Sequence, residues 1–287
     1  MTDLAEDVVL SVENLSIDFR LRTHILHAVE NVSFDLKRGQ TLCLVGESGS
    51  GKSVTARSLL QIVDRPGSIV GGRILLRNGS EITDIARLDP DSRTMRAIRG
   101  RRIGLIFQEP MSSLSPVHTI GSQIAEAVRL HSDLDKRAAR AKTVELLRQV
   151  EIPNPEQMAD RYTFEFSGGM RQRAMIAMAL AGNPDILIAD EPTTALDVTT
   201  QAEILDLIKR LQVERGMAML LITHDMGIVA EVADEVAVMR FGRIVERGPV
   251  DAIYHDAQHP YTRQLLASTV KLTRHVEGRV PAVAASS

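Results

Sequence analysis

The chain is predicted to adopt an α/β fold built on a parallel sheet with helices on both faces. Three observations carry that prediction. Short apolar runs such as Thr41–Val45, Ile186–Ala189 and Ala218–Thr223 alternate with amphipathic helical stretches, as strands buried on both faces require. A glycine-rich octapeptide, Gly46–Ser53, lies between one such strand and a helix. Residues 111–182 read almost entirely helical and so predict an inserted helical subdomain.

Residues 8–46 read as short strands at Val8–Val12, Ser16–Arg20, Val32–Leu36 and Thr41–Val45. Alternation and β-branched residues support them, and Arg38-Gly39 supplies a turn. Lys52–Val63 then predicts a helix and Ile103–Phe107 a strand. Helices follow at Ile120–Leu130, Asp135–Val150 and Met170–Ala181, then a strand at Ile186–Ala189, a helix at Gln201–Val213 and a strand at Ala218–Thr223. Past Asp234, Val236–Met239 and Ile244–Glu246 predict a hairpin around Phe241-Gly242, with short helices at Val250–His255 and Tyr261–Ser268. The expected domain spans residues 1–274, and residues 275–287 read as a loose tail.

Composition narrows the function. The 287 residues are 44% hydrophobic and 25% charged, as in ordinary globular proteins. A net charge of −3 and a pI of 6.3 leave no bulk basic field for nucleic acid. The single cysteine, Cys43, excludes an intrachain disulfide and a multi-cysteine metal or iron–sulfur site; it reads as a core residue. The acidic start, Met1–Asp7, lacks the basic-then-apolar pattern of a signal peptide. No apolar run reaches the roughly 18 residues that a membrane span needs, so a role at a membrane would require partners that cross it.

Three motifs carry chemistry. Gly46, Glu47, Ser48, Gly49, Ser50, Gly51, Lys52 and Ser53 match G-x-x-x-x-G-K-[ST] in the required strand–loop–helix context. Glycines let successive N–H groups face one anion, and the helix aims its positive end at the same point. Lys52 is expected to reach the β- and γ-phosphates of ATP, with the Ser53 hydroxyl on Mg²⁺. Next, the apolar run Ile186–Ala189 delivers Asp190 and Glu191 to the sheet edge where ligands bind. Asp190 is expected to hold Mg²⁺ through water and Glu191 to accept the proton of an attacking water. Finally, Ser167-Gly168-Gly169 opens a helix, with Ser167 as N-cap, and makes a second anion-binding helix start.

Phe166-Ser-Gly-Gly-Met170, about 20 residues before Asp190, resembles the signature motif of ATP-binding-cassette (ABC) ATPases, with Phe166 and Met170 departing from the usual Leu and Gln. The resemblance covers about residues 8 to 268. It implies a RecA-like phosphate-loop NTPase core, an N-terminal antiparallel β subdomain and the inserted helical one. It also implies that Ser167, Gly168 and Gly169 reach across a dimer to the γ-phosphate bound by the other subunit. Gln108 resembles the glutamine that touches Mg²⁺ and the attacking water, and His224 the histidine that contacts the γ-phosphate. Phe19 resembles the aromatic that stacks on adenine, although a core strand phenylalanine fits as well. Asp197, in Ala195-Leu-Asp, resembles a dimer-interface aspartate and also fits an N-cap.

The stretches Phe107–Pro116, Ser167–Arg173, Ala189–Val198, Thr223–Met226 and His259–Leu266 resemble the dipeptide/oligopeptide/nickel group of ABC importers, and within it the first half of tandem ATPases such as those of glutathione importers. This implies uptake of a peptide-like solute, of the di/oligopeptide or glutathione class. The implied partners are two transmembrane permease subunits, a solute-binding protein and a second, homologous ATPase. Glu109, Met111 and Met170 match one of the two ATPase types, so a heterodimer is expected, docked at the cytoplasmic face of the membrane. Many members carry an iron–sulfur segment after His-Pro-Tyr-Thr; Lys271–Ser287 has no cysteine, so no cluster is expected. The competing functions are a soluble ABC-type ATPase acting on DNA or the ribosome, which would show a basic surface or long insertions, and a phosphate-loop kinase, which would leave Ser167–Gly169 unexplained. His255 and His259 lack a third zinc ligand. Arg96, Arg99, Arg101 and Arg102 read as a solvated face, and Met170, Met175 and Met178 as packing.

Overall fold

The computed structural model describes residues 4–109, 113–194 and 196–267. In chain order, the first half contains β1 (Val8–Arg20), β2 (Ile25–Lys37), β3 (Thr41–Val45), α1 (Lys52–Ser58), β4 (Gly67–Asn78), β5 (Glu81–Asp84), α2 (Arg93–Ile98) and β6 (Ile103–Ile106). Then come α3 (Ile120–His131), α4 (Lys136–Gln149), α5 (Pro155–Met158), α6 (Gly168–Ala179), β7 (Ile186–Asp190) and α7 (Val198–Arg215). The last elements are β8 (Ala218–Thr223), α8 (Met226–Val232), β9 (Glu235–Arg240), β10 (Arg243–Pro249) and α9 (Val250–His255), followed by helical residues 260–267.

The strands form two sheets. One is antiparallel, in the order β2-β1-β4-β5. The other runs β10-β9-β3-β8-β7-β6, parallel except for β10. Alternation splits the parallel strands between two cores. Cys43, Val45, Leu187 and Ala189 face the core shared with α3, α4, α6 and α7. Leu42, Leu44, Ile186 and Ile188 face the core shared with the antiparallel sheet. Period-two geometry requires this of a strand covered on both sides.

Val8–Val12 and Ser16–Arg20, expected as separate strands, are one strand of 13 residues. The interruption is a bulge at Asn14, whose φ is 50°. The bulge is stabilised because its freed N–H donates to Ser33 Oγ at 2.8 Å. Strands β4 and β5 were not among those expected from the sequence. Gly71-Gly72 breaks the alternation of β4, yet Gly72 is required there: a Cβ would lie 2.5 Å from the Asn14 carbonyl oxygen. The available signal was Asn78-Gly79, a hairpin turn, ahead of Glu81-Ile-Thr. The short helices α2 and α8 were missed as well, although Ser92 and Asp225 cap them.

The arginine cluster needs correction. Arg99 donates to the carbonyls of Leu60 and Gln61 at 2.9 and 3.2 Å, and Arg102 to Asn78 and the Arg77 carbonyl at 2.6 and 2.8 Å. These two tie the segment down, while Arg96 and Arg101 are exposed. The expected tail from residue 275 lies outside the described residues.

Candidate nucleotide site

Parallel neighbours present their C-terminal ends at one edge, so β3, β7 and β8 bring their following loops together. The loop after β3 is Gly46–Ser53, that after β7 begins at Glu191, and that after β8 at His224. Together with Gln108 and Phe19 they line an open cleft of about 1090 Å³.

Glycines let the phosphate loop lie against its neighbours. A Cβ on Gly46, whose φ is 149°, would sit 2.1 Å from the Met239 carbonyl oxygen. On Gly51, at φ 103°, it would sit 2.5 Å from that of Ala28. Gly46→Ala is therefore expected to destabilise the fold by about 2 kcal/mol or more through backbone strain. Denaturant unfolding checks this; unchanged stability would mean that β9 yields freely.

Gly46, Glu47, Ser48, Gly49, Gly51, Lys52 and Ser53 line the cleft, while Ser50 is buried beneath it. The Lys52 ammonium donates to the carbonyls of Gly46 and Glu47, each at 2.8 Å. Burial lowers its pKa from the ordinary lysine value, against the opposing charges of Glu191, Asp190 and Glu47. The Ser53 hydroxyl donates to Asp190 Oδ1 at 2.8 Å. Burial raises the Asp190 pKa, partly offset by that bond and by Arg57. These two hard oxygen donors, with the Gln108 amide nearby, suit Mg²⁺, which takes few protein ligands and keeps waters and phosphate oxygens. Among the described residues no group of three or more histidine, cysteine or acidic side chains could hold a metal ion.

Glu191 is held from several sides. Its φ is 47°, a strained value for a residue with a side chain, and its N–H donates to the Ile222 carbonyl at 3.0 Å. Its Oε2 accepts from Gln108 Nε2 at 3.1 Å and from Thr194 Oγ1 at 3.0 Å. His224 Nδ1 lies 3.4 Å from Oε1, an ion pair when the imidazole is protonated. Thr194 was not among the residues expected at the site; its position three residues after Glu191, in a local turn, was the available signal.

Phe19 was expected either to stack on adenine or to be a core strand residue. Its ring packs on Gly67, where a Cβ would lie 2.8 Å away, and it also lines the cleft. Beside it, Ile25 and Leu26, 51% and 49% exposed, add an apolar wall that the sequence did not suggest. Ser167, Gly168 and Gly169 do not line this cleft. The Ser167 hydroxyl caps α6 by accepting the Met170 N–H at 3.3 Å. A Cβ on Gly169 would meet Thr200 at 2.8 Å, so the segment packs on the start of α7. Asp197 caps that helix by accepting the Thr200 N–H at 3.1 Å, while Ser167 and Gly168 face outward.

Residues 29–194 match the ABC transporter family model, and the chain belongs to that family. It is 51% identical over 266 residues to the glutathione import ATP-binding protein GsiA of Escherichia coli (strain K12), and 53% identical to that of Shigella flexneri. Both alignments cover 92% of this chain, which spans 42% of the length of these relatives. Among solved structures it resembles the ATP-binding cassette MJ0796, a dimer in a post-hydrolysis state with ADP and Pi, at TM-score 0.71 and 27% identity over 84% of this chain and 98% of that one. It also resembles cbiO1 of Clostridium perfringens, part of the ABC transporter complex cbiONQ, at TM-score 0.71 and 27% identity over 97% and 98% of the two chains.

Proposed function

We propose that this chain is the ATP-hydrolysing subunit of an ABC importer and powers uptake of a peptide-like solute. The observation that carries the proposal is Glu191, held by Gln108, Thr194 and His224 in a cleft that the phosphate loop also lines. In this reading the loop N–H groups and Lys52 bind the β- and γ-phosphates, and Phe19, Ile25 and Leu26 bound the adenine. Gln108 and Glu191 position a water for in-line attack; Glu191 takes its proton, and His224 donates to the γ-phosphate. Ser53 and Asp190, with Gln108, would hold Mg²⁺, which neutralises charge on the phosphates.

The solute class rests on the glutathione import relatives. We take residues 1–274 as the cassette, with its helical subdomain at about 111–182. Among the described residues no helix is long and apolar enough to cross a membrane, so the proposed place is peripheral, on the cytoplasmic face beneath two permease subunits. Residues Gln108–Val128 form the proposed docking face. Val117 there is 73% exposed, and Pro116 stiffens the approach; residues 110–112 of this loop lie outside the described ones.

The outward Ser167 and Gly168 support a composite site, completed by the same segment of a second cassette. Glu109, Met111 and Met170 suggest a partner of the second ATPase type. Reconstitution in liposomes with the permease subunits, with and without that partner, tests this. Transport is expected only when both ATPases are present, and full transport with this chain as sole ATPase would favour a homodimer.

A further inference from the structure

The phosphate loop is held from behind by a distant part of the chain. The Glu47 N–H donates to the Tyr261 hydroxyl at 3.0 Å. The Gly242 N–H, in the β9–β10 turn, donates to the Ser50 carbonyl at 3.0 Å. Both contacts come from beyond residues 29–194, the stretch that the family model matches.

Tyr261 is 2% exposed and fixed on several sides. The Arg240 guanidinium lies 4.6 Å from its ring centroid and 4.9 Å from that of Phe241. The Tyr261 N–H donates to His259 Nδ1 at 3.2 Å. Glu246, on β10, accepts the backbone N–H groups of Gln258 and His259 at 2.6 and 3.1 Å. One helical turn on, Leu265 lines the nucleotide cleft.

A buried phenol usually finds a hydrogen-bond partner. This one accepts from the second residue of the phosphate loop, whose own carbonyl accepts from Lys52 at 2.8 Å. Residue 47 is thus clamped between the lysine expected at the phosphates and the C-terminal segment. Resting on the nucleotide site proposed above, we propose that Tyr261 is a positioning residue: its hydroxyl fixes Glu47, and through the Glu47 carbonyl it sets where Lys52 stands. The helical segment 260–267 is then part of the frame of the nucleotide site.

The test compares Tyr261→Phe and Tyr261→Leu in the full chain, using Mg-ATP titration, steady-state hydrolysis and thermal unfolding. Phenylalanine keeps the ring and its Arg240 contact but leaves the Glu47 N–H without its acceptor. Tyr261→Phe is expected to weaken ATP binding about 3- to 10-fold, the usual worth of one hydrogen bond. KM should rise in proportion, with kcat within about twofold of wild type and Tm lower by no more than a few degrees. Tyr261→Leu is expected to lose affinity and thermal stability together. Wild-type affinity in Tyr261→Phe, with a loss only in Tyr261→Leu, would reduce Tyr261 to packing and overturn the inference. Absence of ATP binding by the wild-type chain would overturn the nucleotide site itself, and this inference with it.

Discussion

Glu191→Gln is expected to bind ATP as the wild type does and to hydrolyse it about 10²- to 10⁴-fold more slowly, the usual worth of general-base assistance. The substitution preserves size and leaves an amide oxygen that can still accept from Thr194 Oγ1, now at 3.0 Å from Oε2. The backbone bond of residue 191 to Ile222 is untouched, so the strained turn survives. What disappears is the carboxylate proposed to take the proton of the water. With binding intact and turnover blocked, the variant should accumulate as an ATP-bound dimer with its partner cassette. Single-turnover hydrolysis and size-exclusion chromatography in Mg-ATP measure the two effects. Near-normal turnover would remove Glu191 from the role of base.

Lys52→Ala is expected to fail one step earlier, at binding. The Lys52 side chain is buried within the phosphate loop and bonded to two of its carbonyls. Hydrogen bonds to a charged group contribute about 1.5–3 kcal/mol each, and about 1.4 kcal/mol is a factor of ten. Losing the ammonium should therefore weaken ATP binding by about 10- to 100-fold or more. ADP should suffer less, since it lacks the γ-phosphate. The helix start and the loop N–H groups remain, so binding is weakened rather than abolished. Calorimetric titration of both nucleotides checks this, and undiminished ATP affinity would contradict the phosphate-loop assignment.

Much of the parallel core was legible because its signals are local. Thr41–Val45 and Ala218–Thr223 are uninterrupted apolar runs, and the structure gives β3 and β8 those bounds. Val250–His255 agrees with α9 in the same way. The antiparallel sheet was only half legible. Asn14 and Gly71-Gly72 interrupt the alternation of β1 and β4, and only their mutual packing shows that each break is a bulge within a continuous strand. Arg99 and Arg102 carried the charge pattern of a solvated face, yet their partners lie 24 to 83 residues away in the chain.

By itself, the sequence determined the chemistry available to this protein: the phosphate loop, the two carboxylates at the end of β7, and the helix start at Ser167. Each is a short pattern whose geometry follows from its own backbone and the element beside it. Only the tertiary structure decided how these groups meet. It set Ser53 against Asp190, gathered Gln108, Thr194 and His224 around Glu191, turned Ser167–Gly169 away from the cleft of the same chain, and brought Tyr261 under Glu47 from 214 residues away. The reason is physical: such contacts depend on sheet order and on close backbone approach across the core, and neither leaves a periodic signal in any one segment.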